Sequence, residues 1–142
     1  MPVTPSDRTG MTMKLAPGEM HKVLVNASAM WNDTSVDIEE GERYALSANG
    51  RWIDWYIPSS PEGFDSFMPL GSLVEQFRRH PHAPWFALIG AVGQTPDNQF
   101  IIGKGTALQV QTAGRLYVFA NDVPGFYWNN HGHVELTIRR DA

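Results

Sequence analysis

Apolar and polar positions alternate with a period of two through most of this chain, the pattern of half-buried β-strands rather than helices. Lys22-Val23-Leu24-Val25-Asn26 reads as a strand, and Thr34-Ser35-Val36-Asp37-Ile38 alternates cleanly. Glu39-Glu40-Gly41-Glu42 turns the chain into Arg43-Tyr44-Ala45-Leu46-Ser47-Ala48. Gly50 then leads to a separate aromatic, β-prone segment, Arg51-Trp52-Ile53-Asp54-Trp55-Tyr56-Ile57. Trp85–Val92 is a continuous apolar run of strand length, expected at the centre of a sheet and covered on both faces. Phe100–Ile102, Ala107–Val110, Leu116–Phe119 and His133–Ile138 complete the set, spaced by turns, most of them Gly-bearing.

Two stretches break the rhythm. Residues 1–20 are rich in Pro, Gly and Thr and predict a tail or irregular lead-in. Leu70, Leu73, Val74 and Phe77 fall at i, i+3, i+4 and i+7, which predicts one short amphipathic helix closed by Pro81 and Pro84. Eight or nine short strands without a βαβ rhythm predict one domain over 21–142. Its expected architecture is an antiparallel, all-β sandwich of the jelly-roll, galactose-binding-domain-like type with one short helical insertion.

Composition agrees with many strands and tight turns. The 142 residues are 42% hydrophobic and 18% charged, with 13 Gly and 10 Pro. The net charge of −4 and the absence of any Lys/Arg run longer than two argue against a nucleic-acid partner, which needs clustered cations. The chain has no cysteine, so disulfides and thiolate metal sites are excluded. No segment has the apolar length of a membrane span, and Met1–Arg8 lacks the apolar core of a signal peptide. The expectation is cytoplasmic synthesis, with export by a non-classical route left open.

The segment richest in candidate chemistry lies between the last two strands, Asn121-Asp122-Val123-Pro124-Gly125-Phe126-Tyr127-Trp128-Asn129-Asn130-His131-Gly132. It concentrates one carboxylate and three side-chain amides, with glycines that bend the backbone. Calcium takes six to eight oxygens from carboxylates, amides, carbonyls and water. Asn, Asp, Pro and Gly are also ordinary turn formers, so composition leaves a plain turn and an ion-binding loop both standing.

Residues 121–130 resemble the calcium loop of the calcium-dependent galactophilic lectins of the Pseudomonas type. That loop reads Asn-Asp-Val-Pro-Gly-Thr-Tyr-Gly-Asn-Asn and matches at eight of ten positions. Weaker similarity extends from about residue 21 to the C-terminus, through Val23-Leu24, Thr34-Ser35 with Gly41, Ala48-Asn49-Gly50, and Ala87-Leu88 with Gly93. The resemblance implies a non-catalytic, calcium-dependent carbohydrate-binding protein that gains avidity as a homo-oligomer. It implies Ca²⁺ ligands at Asp122, Asn129, Asn130 and the Phe126 carbonyl, with a remote ligand at Asp54. It places sugar contacts at Asp54, Asp122, Val123, Phe126 and Asn129. In such a site two vicinal hydroxyls replace two metal-bound waters.

Asp54 reads equally well as a solvated strand-end acid. Trp52, Trp55 and Trp128 are candidates for stacking on a sugar, although each taken singly reads first as a core or rim residue. The family's His and Gln in the sugar pocket have no match between Pro58 and Pro84, so the resemblance does not carry galactose specificity. His80/His82 and His131/His133 form His-x-His pairs but lack a third ligand at suitable spacing for zinc or copper. No Gly-x-Ser-x-Gly is present, and Glu39/Glu40 reads as an exposed turn, so a hydrolase is disfavoured. A calcium-stabilised accessory module with no sugar ligand remains the alternative.

Overall fold

A computed structural model describes residues 12–64 and 77–142. Nine strands are present: β1 (Met20–Asn26), β2 (Asn32–Ile38), β3 (Arg43–Asp54), β4 (Ile57–Ser59), β5 (Leu88–Val92), β6 (Gln99–Ile101), β7 (Gly105–Gln109), β8 (Gly114–Ala120) and β9 (Asn130–Arg140). They form two antiparallel sheets. One has the order β1-β9-β3-β4 with β7 also paired to β3, and the other the order β2-β8-β5-β6. The expected β-sandwich is therefore the observed one. Among the described residues helical structure is confined to 3₁₀ turns, at Pro96–Asn98 and Tyr127–Asn129 among them. Of the predicted helix, Leu70, Leu73 and Val74 lie outside the described residues, and Phe77 is described in a 3₁₀ conformation.

The alternation read from the sequence sets which face each strand buries. On β9, Val134, Leu136 and Ile138 face inward and are fully buried. On β3 the inward set is Tyr44, Leu46, Ala48 and Trp52, and on β8 it is Leu116, Val118 and Ala120. These stripes interdigitate with Val25, Val36, Ile38, Phe86 and Leu88 in one core between the sheets. The Trp85–Val92 run is a strand only from Leu88 onward. Phe86 sits at φ 62°, which bends the chain before β5 begins. From Leu88 to Ala91 every residue is buried, as a strand flanked by β8 and β6 requires. The lead-in contributes to the core as well: Leu15 is buried, and Met13 bridges to Val36.

One expected boundary is absent. The two segments on either side of Gly50 are a single twelve-residue strand, β3. Gly50 sits at φ 116°, and a Cβ there would lie 3.3 Å from the Cα of Val134 on β9. The glycine therefore permits close passage of two strands rather than marking a turn. Continuity through Gly50 lets β3 pair with β9 along its length while its outer edge changes partner from β7 to β4.

Gly50→Ala is expected to destabilise the domain by about 1–3 kcal/mol, through left-handed strain and loss of that close approach. A lowered denaturation midpoint at unchanged m-value is the measurement that checks it.

Candidate functional site

Three core stripes end in polar residues at the same end of the sandwich. Counting by two along β3 from Tyr44 leads through Trp52 to Asp54, and counting back along β9 from Val134 leads through Gly132 to Asn130. Asp54 and Asn130 are directly opposed in the β3–β9 ladder. Continuing by two beyond Ala120 at the end of β8 gives Asp122, on the other sheet. A position on a buried stripe withdraws a side chain from water whatever its chemistry, so these polar groups are buried by inheritance from the strands. Asn130 and Asp122 are each 3% exposed, and Asp54 is half-buried.

Hydrogen bonds fix how these groups point. The Asn130 amide nitrogen donates to the Ala27 carbonyl (3.0 Å) and to Asp122 Oδ2 (3.1 Å). Both acceptors lie on the nitrogen side, which determines the amide's orientation and leaves its oxygen facing elsewhere. Asp122 Oδ1 accepts from the Val123 N–H at 2.7 Å. The Asn129 carbonyl accepts from the Trp55 N–H (3.0 Å), tying the turn after β3 to the β8–β9 connection. Asn129 Oδ1 and Asn130 Oδ1 are buried and accept no hydrogen bond from the described residues. Buried oxygens rarely stay unpaired without a function or a ligand to satisfy them.

Electrostatics points the same way. Burial, joined by the charge of Asp122, pushes the Asp54 carboxyl up to about 6. Burial also raises Asp122, against the lowering effect of the Val123 and Asn130 donors. Two carboxylates, each harder to ionise than usual, beside two amide oxygens that lack donors form an all-oxygen set that carries charge −2 once both are ionised. That is the donor chemistry of a hard divalent cation, and it neutralises one. Among the described residues no cluster of three or more His, Cys, Asp or Glu joins them. The set is thus carboxylate plus amide, not imidazole.

Above these oxygens opens a cleft of about 270 Å³ lined by Asp54, Phe77, Trp85, Asp122, Val123, Phe126 and Asn129. All five residues expected to contact a sugar lie on its wall, and Asn130 lies beneath, bonded to Asp122. The Phe126 carbonyl accepts a long bond from the Asn129 N–H at 3.4 Å, which leaves it a free lone pair. Of the three candidate tryptophans, Trp52 is a core residue packed edge-on against Phe86, whereas Trp55 and Trp128 are exposed. His131 and His133 lie exposed on the outer face of β9, and the His80 ring faces Gln99 at 3.3 Å.

Three contributors were not legible beforehand. Trp85 reaches the cleft because the chain bends at Phe86, a conformation no local pattern signals. Phe77 lines the cleft as well, although its spacing alone suggested a buried helix face. Asn121, fully buried, is a clamp. Its amide nitrogen donates to the carbonyls of His80, Ala83 and Pro84, and its oxygen accepts from the His80 N–H. The Arg79 N–H bonds the Asp122 carbonyl at 3.1 Å. Tyr127 is buried and donates to the Ala120 carbonyl, which pins the far half of the connection. The Asp122 backbone is thereby held from both sides.

The pH dependence follows from the sign of these shifts. Folded Asp54 holds its proton more tightly than the unfolded chain does, so in metal-free protein its contribution to stability falls as pH rises from about 4 to about 6. Asp122 acts in the same direction. Asp54→Asn is expected to flatten that part of the profile, measured as melting temperature against pH in chelator.

No protein-family model matches the chain, and no curated protein does. Solved structures do, and eight chains are similar. One, described as the EclA N-terminal domain and a PllA-like lectin, superposes with a TM-score of 0.63 over 84% of this chain and 94% of its own, at 18% identity. At that identity the likeness is one of fold: this chain has the β-sandwich of a PllA-like lectin domain.

Proposed function

We propose that this chain is a non-catalytic carbohydrate-binding protein whose ligand is held through a calcium ion. The observation that carries the reading is the pair of buried, unpaired amide oxygens on Asn129 and Asn130 beside the carboxylates of Asp54 and Asp122. The resemblance of residues 121–130 to the calcium loop of galactophilic lectins supports it, as does the lectin described above that shares the fold. Asp54, Asp122, Asn129 and Asn130 would hold the ion, with the Phe126 carbonyl completing the protein's share. The ion's chemical contribution is open coordination positions for vicinal hydroxyls. Asp122 retains lone pairs to accept from those hydroxyls, and Phe77 and Phe126 give the cleft apolar walls for the carbon face of a sugar ring.

A second reading rests on a specific observation. Asp54 and Asn130 belong to one sheet, and Asp122 extends a strand of the other. An ion among them would fasten the sheets together whether or not any ligand followed. Chelation separates the two readings. A carbohydrate-binding protein loses its saccharide with the metal, whereas a purely structural site costs stability and leaves a partner bound.

Calcium at about 100 times its Kd is expected to add about 2.7 kcal/mol, raising the melting temperature by on the order of 5–10 °C. Asp122→Asn and Asn129→Ala should abolish that increment and the calcium-dependent binding, with the fold retained by circular dichroism. Identical melting curves in calcium and in chelator for the unaltered protein would remove the site. Self-association is expected too. The edge strand β1 leaves Met20 and Leu24 more than half exposed, and multivalency strengthens weak sugar binding. Light scattering showing only monomer at working concentration counts against it.

A further inference from the structure

By alternation Phe119 points away from the core between the sheets, because Leu116, Val118 and Ala120 on β8 point into it. With Ala83, Ala87, Ile89 and Ala91 it forms a second apolar cluster, on the outer face of the β2-β8-β5-β6 sheet. Trp31 packs on this cluster, edge-on to Phe119 at 5.3 Å between ring centroids. A cation lies among these rings. The Arg79 guanidinium carbon is 3.4 Å from the Phe119 centroid, 4.4 Å from that of Trp31 and 5.5 Å from that of Tyr127. Among the described residues no carboxylate forms an ion pair with it. Three aromatic faces take the place of a counter-ion.

The same residue reaches both arms of the β8–β9 connection. Its backbone N–H donates to the Asp122 carbonyl at 3.1 Å, on the arm that leaves β8. Its Nη1 donates to the Tyr127 hydroxyl at 3.0 Å and to the Met30 carbonyl. Tyr127 opens the 3₁₀ turn Tyr127–Asn129, which delivers Asn129 and then Asn130 at the head of β9. Between the arms the chain turns through Gly125 at φ 95°, closed by the bond from the Phe126 N–H to the Val123 carbonyl. The influence of Arg79 on the ion site is geometric rather than electrostatic. Burial pushes the Tyr127 phenol up to about 12 while the Arg79 charge pulls it down. The raised Asp54 and Asp122 carboxyls owe their shifts to burial and to groups other than Arg79.

We propose that Arg79 is a positioning residue for the ion site: boxed by Trp31, Phe119 and Tyr127, it locks the two arms of the connection at the separation that lets Asp122 and Asn129 hold one ion. This rests on the calcium reading above and adds to it a residue that lines no part of the cleft. Groups behind a metal's ligands set affinity by fixing where those ligands sit before the ion arrives. Arginine suits the task because a planar guanidinium stacks on a ring while its edge donates hydrogen bonds, which an ammonium does not do.

The test is calorimetric titration of calcium into metal-free protein, well below the melting temperature of each variant, with melting curves in chelator alongside. Arg79→Met should raise the calcium Kd by about 10- to 100-fold. Arg79→Lys keeps the charge without the stacking and should restore only part of that loss. Tyr127→Phe keeps the ring of the box but removes the hydroxyl link, and should raise the Kd by a smaller factor. A lower melting temperature for Arg79→Met in chelator with an unchanged Kd overturns the proposal, because Arg79 then only braces the fold. Tighter calcium binding by Arg79→Met also overturns it, since that is the result of removing a repelling charge. Should Arg79→Met fail to fold, an unchanged Kd in both Arg79→Lys and Tyr127→Phe overturns it instead. Failure of the unaltered protein to take up calcium removes the calcium reading, and this proposal with it.

Discussion

The pairing of β3 with β9 is the constraint on which everything else at this end of the molecule depends. Eleven consecutive antiparallel pairs run from Tyr44–Arg140 to Asp54–Asn130. Because side chains alternate, a slip of one residue would turn the buried Tyr44, Leu46 and Trp52 out to solvent, and Val134, Leu136 and Ile138 on the partner strand fix the same register independently. The hydrophobic core thus sets a register whose last pair is polar. Asp54 and Asn130 meet because they continue stripes that the core has already aligned. Gly50 is what allows the ladder to reach that far without a break.

From this follows the character of the cleft. Its oxygens are placed by the two sheets and by short connections pinned to them, and desolvation comes from the same packing. A carboxylate on a flexible surface loop would simply stay hydrated. Here Asp122 is almost wholly removed from water, and Asp54 shares its field, so the pair resists double ionisation. The walls differ in kind from the floor: Phe77, Trp85 and Phe126 are apolar, with acids and amides beneath. An amphipathic ligand, hydroxylated on one side and carbon-rich on another, is complementary to such a surface.

Much of the fold was legible because strands report themselves through alternation, and that signal is strongest where one face is buried. Thr34–Ile38 and His133–Ile138 carry it clearly. It fails where backbone conformation matters more than side-chain polarity. Gly50 resembles a turn glycine in sequence, and only its approach to Val134 reveals a continuous strand. Likewise Trp85 and Phe86 have the composition of the strand that follows them, while the positive φ at Phe86 takes them out of it. At the site, Asp122, Asn129 and Asn130 stood out through a motif. For Asp54 the ladder supplies a place: it lies half-buried on the cleft, opposite Asn130. Its signal was present all along in the parity of β3, where Tyr44, Leu46, Ala48 and Trp52 lead to it by twos. Asn121 had no such signal, since a buried clamp and an exposed turn asparagine are written with the same letter.

That clamp has a consequence for how such a chain tolerates change. One amide gathers three carbonyls and an N–H from His80–Pro84, and the neighbouring Arg79 N–H closes onto Asp122. Whatever precedes Arg79 therefore arrives at a fixed mooring on the end of β8. A change upstream of Arg79 reaches the Asp122 carboxylate only through this anchored segment. The side chain at Phe77 can then vary, while the floor of the cleft stays where the sheets put it.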